Sequence, residues 1–103
     1  MATPNDVIHT RTYEATNTKG RRVRAAWGGA VVTVPWDWQF SGYDNHHRAA
    51  LHLAEVCGLR CEWSPGRVSS THCVYTVVKK DVERNRVLGF DNGTAPDYFK
   101  EGQ

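Results

Sequence analysis

At 103 residues the chain is long enough for one domain and too short for two, and its 40% hydrophobic and 23% charged residues are the balance of a globular protein rather than a disordered one. A formal net charge of +2 excludes an overall electrostatic pull toward nucleic acid or membrane, and no run approaches the roughly 18 apolar residues needed to cross a bilayer. Three cysteines cannot all pair within one chain, and "MATPNDVIHT" has neither the basic start nor the apolar stretch of a secretory leader, so a reducing, cytoplasmic setting is expected.

In chain order, the lead-in around Pro4, Asn5 and Asp6 gives way to "HTRTYEAT", whose alternation and β-branched content predict a strand. "NTKG" turns the chain. "RRVRAAW" then puts Val23, Ala25 and Trp27 on one face and Arg22 and Arg24 on the other, the pattern of a half-buried antiparallel strand. Gly28 and Gly29 predict a two-residue hairpin into "AVVTVPW", where Pro35 ends the strand or marks an edge. One helix is expected over Asp44 to Cys57, capped by Ser41 or Asp44 and stopped at Gly58. Its inner stripe is His47, Ala50, Leu51, Ala54 and Cys57, with Arg48, His52 and Glu55 opposite.

Beyond it, "LRCEW" alternates, "SPGR" is expected to turn, "THCVYTVV" is the most β-prone run, and a last short strand returns after Asn85. The order βββ-α-ββ(β) predicts an α+β fold: an antiparallel sheet, made of a three-stranded N-terminal meander and a C-terminal hairpin, with one helix on a single face. Residues 1–103 form one domain with loosely ordered ends at 1–8 and 91–103, the latter pinned by Tyr98 and Phe99.

Chemistry is sparse. Cys57, Cys61, His72 and Cys73 have a loosely zinc-like spacing, but Cys57 and Cys61 fall on apolar faces, and adjacent His72 and Cys73 must point to opposite sides of a strand. No phosphate loop, paired carboxylates or HExxH occurs, so no catalytic residue, metal or cofactor is expected and the chain reads as a non-enzyme. His46 and His47, at a helix N-terminus where positive charge is unfavourable, are expected to be neutral packing residues that make the junction sensitive to mild acid.

Two binding readings remain. In the first, "PWDWQF" and the residues after it supply apolar anchors for another protein: Trp36, Trp38, Phe40 and Tyr43, with Arg22, Arg24 and Arg48 as rim charges. A small domain seldom buries four tryptophans, so at least one exposed ring is expected, and an exposed strand edge would equally allow a homodimer. In the second, Lys19, Arg21, Arg22, Arg24, Lys79 and Lys80 bind nucleic acid. Residues 1–35 carry a local excess of three positive charges, but Trp27 falls on the face opposite Arg22 and Arg24, which weakens stacking there.

The succession "TKGRRVRAAWGG", "VTVPWDW" and "YDNHHRAALHLAEVCGL" in residues 18–58 resembles small accessory proteins of tailed bacteriophages. There a glycine-turned hairpin and an aromatic "VPWD"-like segment precede an alanine-rich helix with an N-terminal histidine. The resemblance implies a protein made in the cytoplasm of an infected bacterium. It implies action by contact with a host protein, as a modulator or inhibitor in host takeover or anti-defence, and it brings no catalytic residues.

Overall fold

The sheet is built from both ends of the chain. In the computed structural model, which describes residues 7–89, the elements are β1 (Val7–Tyr13), β2 (Arg22–Trp27), β3 (Ala30–Pro35), α1 (Gly42–Val56), β4 (Cys61–Ser69), β5 (His72–Lys80) and β6 (Arg86–Val87). They form an α+β fold in which six strands in the order β3-β2-β1-β5-β4-β6 make one sheet. All pairs are antiparallel except β4 with β6, which is parallel.

Sequence chemistry explains the joints. Between β2 and β3, Gly28 has φ +57° and Gly29 does not have positive φ, as a type II′ hairpin turn requires. β3 is an edge strand and ends at Pro35, where the missing N–H is harmless. Ser41 caps α1 by accepting the Asp44 N–H at 3.1 Å. Gly58, at φ +74°, closes it: its N–H reaches the Glu55 carbonyl and the Leu59 N–H the Ala54 carbonyl, the paired bonds of a Schellman stop.

The helix lies on one face of the sheet. Ile8 (β1), Val23 and Ala25 (β2), Val34 (β3), Cys73 and Tyr75 (β5), Cys61 and Trp63 (β4) and Val87 (β6) point inward to meet Ala49, Ala50, Leu51, Leu53 and Ala54. The helical alanines bring the backbone close to the sheet, and each fully buried Val, Leu or Ile side chain contributes roughly 1.5–3 kcal/mol. No strand or helix among the described residues covers the sheet's other face.

Several sequence expectations shift. Val7 and Ile8, expected in a loose lead-in, belong to β1 because Ile8 is a fully buried core residue. The rest of the expected loose ends, with Tyr98 and Phe99, lies outside the described residues. "SPGR" is not a turn: β4 runs through it, with Pro65 opposite Tyr75 and Arg67 opposite Cys73. β6 reaches only Glu62 and Trp63, so from Ser64 onward β4 is a free edge that tolerates a proline. The last strand does not fold back on β5 but lies parallel beside β4, because Asn85 ties it there.

Arg48, expected on the outer helix face as a rim charge, is instead only 8% exposed. The loop between β3 and α1 folds back over it, setting the Phe40 ring 4.9 Å from its guanidinium and Asp37 4.0 Å from Nη1.

Ile8→Ala should lower the unfolding free energy by about 2–5 kcal/mol, while Val56→Ala, at an exposed helix position, should change it by less than about 0.5 kcal/mol. Urea unfolding followed by far-UV circular dichroism measures both.

Candidate binding surfaces

Residues 36–41 leave the edge strand β3 and must reach the helix in six positions. Asn45, fully buried in the first turn of α1, holds them. Its Oδ1 accepts the Asp37 N–H at 2.9 Å, and its Nδ2 donates to the carbonyls of Asp37 and Ser41, both at 3.0 Å, and of Phe40 at 3.3 Å. The Asp37 carboxylate in turn accepts the Gln39 N–H, and its carbonyl accepts the Phe40 N–H. One amide therefore satisfies the polar backbone of an irregular loop and fixes its course.

The loop is hydrogen-bonded at its base and presents rings at its crest. Trp38 is 74% exposed and Phe40 38%. Trp36 is half-buried against the core, and its ring centroid lies 5.9 Å from that of Trp38 at a 58° tilt. Arg21, immediately before β2, puts its guanidinium 4.2 Å from the Trp36 ring centre and 5.6 Å from that of Trp38, a cation–π arrangement further tethered to Glu14 at 3.6 Å.

The expected anchors thus do not all share one patch. Trp36, Trp38 and Phe40 rise from the loop, whereas Tyr43 turns toward the sheet. Its ring packs 4.3 Å from that of His47, with Arg67 5.5 Å above it, and burial raises its hydroxyl pKa. Arg48 lies beneath the loop. Arg22 and Arg24 project from the opposite, open face of the sheet, away from the tryptophans. The nucleic-acid candidates also divide. Lys19, Arg22 and Arg24 line one shallow hollow of about 310 Å³ with Tyr13, Val31 and Thr33, while Arg21 is on the tryptophan side. Lys79 and Lys80 stand seven or more residues along β5 from His72, on the order of 23 Å away.

Sequence reading missed Arg11, Tyr13, His9 and His72 on the open face. The signal was available in "VIHTRTY", since burial of Ile8, Thr10 and Thr12 sends His9, Arg11 and Tyr13 outward.

The two helix-start histidines are core groups. The His46 ring bridges two inward threonines of β1, with Thr10 Oγ1 2.6 Å from Nδ1 and Thr12 Oγ1 2.7 Å from Nε2. A neutral imidazole has one donor and one acceptor nitrogen, so one threonine accepts and the other donates. His47 Nδ1 meets the Tyr75 hydroxyl at 2.8 Å. Burial lowers both imidazole pKa values to about 4, helped at His46 by His47, His72, Arg67 and Arg21. Burial raises the Cys73 thiol pKa, the opposite of an activated nucleophile. Among the described residues no group of three or more His, Cys, Asp or Glu side chains is placed to hold a metal ion.

Compared with known protein families, curated proteins and solved structures, the chain matches none.

The imidazole pKa values set a pH dependence of stability. In the unfolded chain both rings bind a proton near pH 6.5, but in the folded protein only near pH 4. The unfolded state therefore holds more protons between these values, and stability is full above about pH 6.5 and lost as pH falls toward 4, by on the order of 3 kcal/mol for each ring. Urea midpoints at pH 7.5, 6 and 5 should fall accordingly, with a shallower slope in His46→Gln. A flat profile across that window would refute the assignment.

Proposed function

We propose that this chain is a non-enzymatic binding protein that docks another protein through the loop between β3 and α1, with Trp38 as the anchor. The carrying observation is an indole left 74% in water on a loop whose backbone is already tied down by Asn45. A ring held ready in this way loses little freedom on binding, so most of the apolar area it buries becomes affinity. Arg21, stacked across Trp36 and Trp38, keeps the ring in place and adds a cation able to meet a partner carboxylate.

The resemblance in residues 18–58 supports a phage-encoded role in the cytoplasm of an infected bacterium. There such a protein would modulate or inhibit a host factor by occupying its surface, in host takeover or anti-defence. Action by contact needs no chemistry at the site.

Affinity capture from a bacterial lysate at low salt and at about 0.3 M salt tests the proposal, because an aromatic-anchored contact survives screening. Trp38→Ala should weaken the captured complex by roughly 30-fold or more while leaving thermal stability nearly unchanged. Full retention of every captured protein by Trp38→Ala would sink the reading. Self-association that Trp38→Ala abolishes would name a second copy of this chain as the partner.

A further inference from the structure

The sheet face away from α1 carries a second surface, independent of the tryptophan loop. Strand register puts Arg11 directly opposite Arg24. The row continues to Thr33 on one side and His72 on the other, so it crosses four strands, β3-β2-β1-β5, with no acidic side chain in it. Arg22 sits opposite Tyr13, its guanidinium 5.5 Å from the ring centre, and Lys19 joins them at the rim of the hollow. On the other flank the His9 and His72 ring nitrogens lie 3.2 Å apart. His72 is held below its usual pKa by partial burial first and then by Arg11 and His9.

Like charges directly opposite one another on a sheet are destabilising. Among the described residues the ion pairs are Arg21 with Glu14, Arg48 with Asp37 and Arg86 with Glu62, and none neutralises Arg11, Arg22, Arg24 or Lys19. The register thus sets two cations in neighbouring positions with no described carboxylate paired to either, an arrangement that a bound anion would stabilise.

We propose that this face binds the phosphate backbone of a single-stranded nucleic acid across Arg11, Arg24 and Arg22, with Tyr13 as a stacking surface for a base. Guanidinium groups match phosphate oxygens in paired hydrogen bonds, and an aromatic ring beside a cationic track is the general design of sequence-tolerant single-strand binding. A duplex fits less well, because among the described residues no strand or helix rises from this sheet face to enter a groove. A protein partner fits less well too, since among the described residues the hollow offers only Val31 as an exposed large aliphatic and so no apolar centre.

Fluorescence anisotropy with labelled mixed-sequence DNA and RNA single strands of about 15 nucleotides, and with a duplex of equal length, decides the matter. Three phosphate contacts predict that single-strand affinity falls roughly 20-fold between about 50 and 200 mM salt. Arg24→Glu turns the repulsive pair into an attractive one. It should weaken binding at least about tenfold while the thermal midpoint stays level or rises, so lost binding cannot be mistaken for lost fold. Should Arg24→Glu fail to fold, Arg11→Gln, which removes one phosphate contact together with a like-charge neighbour, should weaken binding with the thermal midpoint level or raised. Tyr13→Ala should weaken binding without changing the salt slope, and Trp38→Ala should leave it intact.

No binding to any strand at about 50 mM salt would overturn the proposal and leave the face to an acidic protein. So would undiminished affinity in Arg24→Glu, or a duplex bound as tightly as a single strand. Loss in Trp38→Ala with retention in Arg24→Glu would move the site to the tryptophan loop and equally overturn it.

Discussion

Where α1 crosses the centre of the sheet, its first turns are joined to the strands below through two imidazoles rather than through aliphatic side chains. His46 is clamped between Thr10 and Thr12 of β1, and His47 meets the Tyr75 hydroxyl of β5. Such bonds are strong in a dry interior because each alternative leaves a polar group unpaired there. They also have direction, which apolar packing lacks. A helix resting on leucines and alanines alone could slide or rotate over the sheet at modest cost. One whose neutral rings must each find a particular hydroxyl has a single position, and the loop leading into it inherits that position.

The same device recurs wherever the backbone leaves regular structure. Asn45 collects the loop before the helix. At the far end, Asn85 accepts from the Cys61 backbone and the Trp63 indole, and donates to the Leu59 carbonyl at 2.7 Å and the Glu55 carboxylate at 3.1 Å. That second amide ties the two-residue β6 beside β4 and joins both to the end of the helix. Alanines supply close approach and asparagines supply the stitching. A domain of this size has little apolar area to spare, and this division of labour lets it hold irregular segments without enlarging its core.

Local signals made much of this legible in the sequence. Two glycines name the hairpin, Gly58 names the helix stop, and the apolar stripe names the buried helix face, because each depends on neighbours within one turn. What escaped depends on pairing across the chain. The inward direction of Thr10 and Thr12 looks wrong for a core until His46 is seen above them. The burial of Arg48 follows from a loop that folds back, and helical periodicity does not contain that. Pro65 reads as a breaker until β4 is known to be an edge beyond Trp63. Arg11 acquires meaning only from its register opposite Arg24, since two arginines thirteen residues apart carry no mark of being neighbours. Of the expected aromatic anchors, Trp36, Trp38 and Phe40 share a loop that could be read directly, while Tyr43 was drawn away by the helix phase.

The four tryptophans end in four different surroundings. Trp63 is sealed between strands with its indole bonded to Asn85, Trp27 is half-buried with its N–H unpartnered, Trp36 lies under a guanidinium, and Trp38 stands in water. Their emission should therefore separate by polarity, with Trp38 supplying the longest-wavelength share and Arg21 lying close enough to perturb it. The molecule carries its own optical reporter at the crest of the loop. Any body that settles there must drive water from that indole and shift its light toward the blue.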